Sequence, residues 1–235
     1  MSIASNMAAI RERIAAAARR CNRDPDEVTL MAVSKTFPAE RIVEAYKAGQ
    51  RTFGENRVQE FADKVPPLQH LTNAQFHLIG HLQSNKAAKA VELFHSVDSV
   101  DSLRLARRLN DAAAKLGRKL NVLVEINVGS EEQKSGVAPH SRELDELLTV
   151  APTLGHLRIL GLMTIPPYTE FPEDARPYFR ALRQLREDLS RRSLPAVRLD
   201  VLSMGMSHDF EVAIEEGATE VRIGTAIFGE RARPV

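Results

Sequence analysis

Two cationic side chains sit where strand residues should, and together they suit carbonyl chemistry. Lys35 closes the stretch Leu30 to Phe37, LMAVSKTF, in which Val28, Leu30, Met31, Ala32 and Val33 read as a buried strand. Side chains alternate along a strand, so Met31, Val33 and Lys35 share one face. Burial there disfavours the ammonium form, lowers the pKa and leaves an amine able to form a Schiff base with a carbonyl. A lysine that merely snorkels out of a strand end is the competing reading. Arg222 is the second anomaly: Val221 and Ile223 alternate with it, so its guanidinium faces away from theirs and needs a partner. That partner is either an internal carboxylate such as Glu125 or a ligand.

Two short segments near Arg222 look built for an anion. Ser203-Met204-Gly205-Met206-Ser207 reads as a loop after a seventh strand and leads into a helix whose first turn offers free N–H groups. Gly224-Thr225 follows an eighth strand; a residue without a side chain lets the backbone approach, and a hydroxyl adds a donor. An amine, an arginine and a phosphate cradle together describe an aldehyde bearing a phosphate. Pyridoxal 5′-phosphate fits, and so does a phosphorylated sugar in an aldolase; spacing does not choose between them.

The elements that must position these residues alternate regularly. The first strand runs through Ser34 and a helix spans Ala39 to Ala48. A strand ending at Phe53 and Gly54 precedes a helix that Pro66 and Pro67 terminate. Further strands are expected at Phe76 to Ile79, Phe94 to Val97, Leu120 to Val128, Leu157 to Met163, Arg198 to Leu202 and Glu220 to Ile223. Helices follow all but the last, including Asp174 to Arg192, whose arginines read as a solvated face, and His208 to Glu216. Eight such units imply an α/β fold, a single (β/α)8 TIM barrel over residues 1–235 with an extra N-terminal helix. An open doubly wound sheet would carry a glycine-rich turn after the first strand, where Ser34-Lys35-Thr36 stands instead.

Composition narrows the partners. Lys and Arg number 32 and Asp and Glu 31, so a net charge of +1 gives no general attraction to nucleic acid or an anionic membrane. The one cysteine, Cys21, lies on the apolar face of the first helix, which leaves no intramolecular disulfide and no cysteine metal site. His77 and His81 have the spacing of a helical zinc pair but fall at a strand end, so no metal is expected. With no signal peptide and no membrane span, the expected location is cytoplasmic.

AVSKTFPAERI, FGENRVQE, FHLIGHLQSNK, the KSG at Lys134 to Gly136, GLMTI at Gly161 to Ile165 and SMGMSHDFEVAIEEGATEVRIGTAIFGER resemble the YggS/PROSC family of pyridoxal phosphate homeostasis proteins. The resemblance runs from about Val28 to Arg231. It implies a barrel like the N-terminal domain of alanine racemase with pyridoxal 5′-phosphate on Lys35. It further implies Ser203, Gly205, Ser207, Gly224 and Thr225 around the phosphate, Arg222 facing the pyridine nitrogen, and Asn56 and Met163 near the ring. An arginine there would keep the ring nitrogen unprotonated and make the cofactor a weaker electron sink.

Three functions follow from this constellation. The first is a pyridoxal 5′-phosphate carrier that maintains vitamin B6 homeostasis without substantial turnover and hands the cofactor to apoenzymes, with Lys134 as a second amine for transfer. The second is an amino-acid racemase, which needs an acid on each face of the substrate; Tyr168 is the one tyrosine placed to supply it. The third is a Schiff-base aldolase using Glu55 as the adjacent carboxylate. Without the β-domain of racemases, the chain is expected to be a monomer.

Overall fold

Eight parallel strands close on themselves in sequence order, each hydrogen-bonded to the next and the last to the first. This computed structural model describes residues 2–129, 131 and 135–230. The strands are β1 (Thr29–Val33), β2 (Thr52–Glu55), β3 (Gln75–Leu78), β4 (Ser96–Val100), β5 (Leu120–Glu125), β6 (Leu157–Met163), β7 (Val197–Met206) and β8 (Glu220–Ile223). The expected (β/α)8 barrel is therefore what the chain forms. Seven helices connect the strands: α2 (Ala39–Lys47), α3 (Val58–Leu68), α4 (Ala87–Leu93), α5 (Leu103–Lys115), α6 (Arg142–Val150), α7 (Arg176–Ser190) and α8 (Phe210–Glu215).

The flank after β8 is covered from the other end of the chain. Among the described residues, only the four-residue α9 (Thr225–Phe228) follows β8, too short to cover a barrel flank. The N-terminal α1 (Ile3–Arg20) packs against α8, α9 and α2, and so fills the eighth place in the outer ring. Ser2 caps it by accepting from the Ser5 N–H at 3.1 Å, and Ile3, Met7, Ile10, Ile14, Ala17 and Ala18 form its buried stripe. The Asn6 amide donates to the Ile227 carbonyl at 2.9 Å, while Arg13 and Arg20 pair with Glu211 and Glu215 of α8.

Three local expectations need correction. Pro66 and Pro67 do not end α3 before them; they lie in its last turn, where the helix keeps its backbone shape through Leu68. The arginine face of α7 is not wholly solvated. Arg176, Arg180 and Arg183 converge on the buried Glu216 carboxylate at 3.1, 2.9 and 3.2 Å.

The third correction bears on the site. β7 does not stop at Leu202 but continues through Ser203-Met204-Gly205-Met206, and α8 begins at Phe210, not at His208. Ser203 pairs with Glu220 and Met206 with Arg222, so three steps along β7 match two along β8. Such a bulge needs an extra residue, and Gly205 has φ +93°, a conformation that favours glycine. A Cβ on Gly205 would stand 2.6 Å from Ala213 Cβ and 2.9 Å from Phe210 Cα. The glycine that reads as a turn in sequence is a bulge that lets α8 seat against the strand.

Candidate functional site

At the C-terminal mouth of the barrel a cavity of about 380 Å³ opens, the size of a small-ligand site. Lys35 enters its wall from just beyond β1, half-buried, in the first residues of the β1–α2 connection. That connection is tightly held. The Phe37 N–H donates to the Ser34 carbonyl at 3.1 Å, and Thr36 takes φ +67°, a strained value for a β-branched residue. Glu60 of α3 accepts from the Thr36 N–H at 2.6 Å, and Lys64, one turn on, donates to Glu60, to Glu55 and to the Ser34 carbonyl. Burial pushes the Glu60 carboxyl up, but Lys64 and the Thr36 N–H outweigh it and hold the group below its ordinary value.

Glu55 is part of the same brace. It is fully buried, accepts from Ser34 Oγ at 2.7 Å and from Lys64 at 3.0 Å, and is not on the cavity wall. The carboxylate that an aldolase reading requires beside Lys35 is committed to holding the loop.

Arg222 forms another part of the wall from β8. It is buried, and its guanidinium donates to Ser203 Oγ at 2.8 Å and to the Thr164 carbonyl at 2.7 Å. Burial pulls its pKa below the usual guanidinium range, against the pull of Glu220, Asp98, Asp209 and Glu125. It remains a guanidinium at neutral pH.

Deeper in the barrel lies a charged layer that sequence reasoning did not find. His77 on β3 meets Asp98 on β4 at 2.9 Å, and donor atoms of His77, Asp98 and Glu220 lie within 4.8 Å of one another. Burial would lower the His77 pKa, but Asp98 and Glu220 raise it to about 9, so the two carboxyl groups favour the protonated ring. His81 pairs instead with Asp101, at 3.0 Å, and the two histidines do not converge. The signal in sequence was faint: polar residues at alternate positions of short strands, each ordinary alone.

Ser207, Gly224 and Thr225 form one side of the cavity mouth. The Gly224 N–H points to Ser207 Oγ at 3.4 Å, joining the segment after β7 to that after β8. Asp209 fixes the turn by accepting from the Met206 N–H at 2.6 Å. Asn56 stands in the wall beside Gly80, where a Cβ would lie 2.4 Å from the Asn56 carbonyl oxygen; only glycine allows that approach.

Of the residues singled out from sequence, Lys35, Asn56, Ser207, Arg222, Gly224 and Thr225 line this one cavity. Ser203, Gly205 and Met163 do not: Ser203 holds Arg222, Gly205 shapes the bulge, and Met163 is fully buried on β6. Lys134 lies outside the described residues. Tyr168 is exposed, with its ring stacked on His208 at 5.9 Å, and is not on the cavity wall. Glu125, seen in sequence only as a possible partner for Arg222, lines the cavity at the end of β5. Its Oε2 is buried with no hydrogen-bond partner among the described residues.

A closed parallel barrel with an amine beyond its first strand and an arginine on its eighth defines a class, and residues 5–232 match the family described as alanine racemase, N-terminal domain. An alanine racemase of Clostridium difficile superposes with a TM-score of 0.70 at 15% identity over 95% of this chain and 60% of that one, a likeness of fold alone. The curated pyridoxal phosphate homeostasis proteins of Aquifex aeolicus and Escherichia coli K12 are 48% and 47% identical. The first alignment covers 98% of this chain and 99% of the relative, the second 97% of each. PipY of Synechococcus elongatus, solved with PLP bound, has a TM-score of 0.83 at 40% identity over 97% of this chain and all of that one. The chain belongs to the family of pyridoxal phosphate homeostasis proteins.

Proposed function

We propose that this protein binds pyridoxal 5′-phosphate as a Schiff base on Lys35 and serves vitamin B6 homeostasis by holding and releasing it, without substantial turnover. The observation that carries the reading is the meeting of Lys35, Arg222 and the Ser207–Gly224–Thr225 mouth in one cavity. The bound relative PipY supports the choice of ligand. The residues fit the group: an amine for the aldehyde, an arginine at depth for the ring nitrogen, and hydroxyl and N–H donors at the rim for the phosphate. When bound, the cofactor supplies an electrophilic aldehyde and a conjugated ring.

The chain's own residues do the rest. The Glu60–Lys64 brace fixes the backbone of the turn that carries Lys35. Arg222, already charged, is a hydrogen-bond donor that disfavours a second positive charge beside it, which weakens carbanion stabilisation and suits storage over turnover. Asn56, in the cavity wall, would lie near the ring. Ser203 and Gly205 act one step back, by holding Arg222 and by shaping the bulge that delivers Ser207; Met163 backs the wall from the core.

The racemase alternative needs a second acid facing the first; Tyr168 is exposed and not on the cavity wall, and it stacks on His208, which is on that wall. The expected partners are the cofactor and the apoenzymes that receive it, with the protein acting as a cytoplasmic monomer. No helix among the described residues is long and apolar enough to cross a membrane, and the net charge of +1 supplies no general field for nucleic acid.

The test is the visible spectrum of wild type and Lys35→Ala after incubation with pyridoxal 5′-phosphate. An imine band in wild type that is absent from the variant is expected. The same band in both proteins, or in neither, overturns the reading, and sustained racemisation of an amino acid that vanishes in Tyr168→Phe would replace it with the racemase.

A further inference from the structure

We propose that Glu125 is the proton donor for capture of the aldehyde by Lys35 and the proton acceptor for its release. The proposal rests on the reading of Lys35 as the capturing amine and adds the group that makes capture reversible at a useful rate.

Glu125 ends β5, four strands around the ring from β1, and its side chain lines the same cavity as Lys35. The residue is only 6% exposed, and its Oε2 has no hydrogen-bond partner among the described residues. A buried carboxyl oxygen without a donor is costly and therefore uncommon. Here the same side chain stands in the wall of the cavity that Lys35 lines. The charges that act on it are Asp101, beyond β4, and Arg222 from β8; Lys35 and His81 line the same cavity. Asp101 also meets the His81 ring, at 3.0 Å. Burial and the Asp101 charge push the Glu125 carboxyl up, against the pull of Arg222, to about 7. Both protonation states are then populated near neutrality, which is the condition for a group that must give and take the same proton.

The chemistry balances without a redox partner. The neutral Lys35 amine attacks the aldehyde carbon, a C–N bond forms, and one amine proton ends on the former carbonyl oxygen as a hydroxyl. That hydroxyl leaves with its bonding pair as water only when it receives a second proton. Protonated Glu125 supplies it, directly or through a water in the cavity, and becomes a carboxylate facing the cationic C=N nitrogen. In release, the carboxylate takes a proton from the attacking water as the C–O bond forms; the proton of the new hydroxyl then passes to nitrogen, and the C–N bond breaks with its pair on the departing amine, leaving the aldehyde. One group serves both directions, as microscopic reversibility requires.

The experiment is stopped-flow absorbance of full-length apoprotein mixed with pyridoxal 5′-phosphate between pH 5.5 and 8.5, with release followed on hundredfold dilution of the loaded protein. Glu125→Gln keeps the shape of the side chain and removes the proton; Glu125→Asp keeps the carboxyl. The expected result is a fall of tenfold or more in both capture and release for Glu125→Gln, loss of the inflection near pH 7 from its rate profile, and at least partial recovery in Glu125→Asp. A Glu125→Gln capture rate within twofold of wild type, or an inflection that persists in that variant, overturns the proposal. Wild type that forms no imine band would instead overturn the reading of Lys35 on which it rests.

Discussion

Glu125 and Lys35 differ in how visibly they announce themselves. Lys35 is legible in sequence because an amine in register with Met31 and Val33 breaks an apolar pattern. Glu125 breaks the pattern of NVLVEINV equally, yet whether it is paired is a fact of three dimensions: Arg222, its natural partner by charge, is hydrogen-bonded to Ser203 and Thr164. The raised pKa has a consequence for stability. An acid whose folded pKa is about 7 and whose unfolded pKa is about 4.3 binds its proton more tightly in the folded state. Its stabilising contribution is present below the unfolded value and is lost as pH rises through 7. Apoprotein is therefore expected to lose about 2 kcal/mol from this group between pH 5 and 7.5. Urea titrations of Glu125→Gln at the two pH values should show that loss removed; an unchanged difference would mean that Oε2 is not isolated.

At the scale of elements, the strand and helix alternation is readable because each strand is a short branched run bounded by turn residues, and β6 and β8 begin and end where the pattern places them. β7 is not readable to its end. Ser203 and Gly205 carry turn chemistry, and only the packing of Met204 in the core and of α8 against Gly205 shows that pairing continues. The difference matters for the site, since the bulge sets where Ser207 emerges. Gly205→Ala is expected to cost about 2–4 kcal/mol, from overpacking against Ala213 and Phe210 together with an unfavourable positive φ. It should also weaken pyridoxal 5′-phosphate binding, because the rim moves with the strand. A variant as stable as wild type by denaturant titration would show that α8 is not seated as described.

The whole molecule is a barrel whose flank is closed by its own N-terminus and whose interior is charged below the cavity. Both features escape sequence reading for one reason: they join residues far apart in the chain, as α1 with α8, or His77 with Asp98 and Glu220. The interior layer has a predictable pH signature. His77, held at about 9 by Asp98, contributes stability that is fully present below its unfolded value of about 6.5 and is lost as pH rises through 9. Between pH 7 and 9.5 wild type should lose roughly 2 kcal/mol that His77→Gln does not lose. Parallel pH profiles for the two proteins would show that His77 is not charged in the fold.

The most direct measurement of the central claim is borohydride reduction of the protein loaded with pyridoxal 5′-phosphate, followed by peptide mass mapping. The account predicts that the reduced pyridoxyl group is carried by the peptide containing Lys35. A label confined to another lysine, such as Lys64 or Lys134, would contradict it.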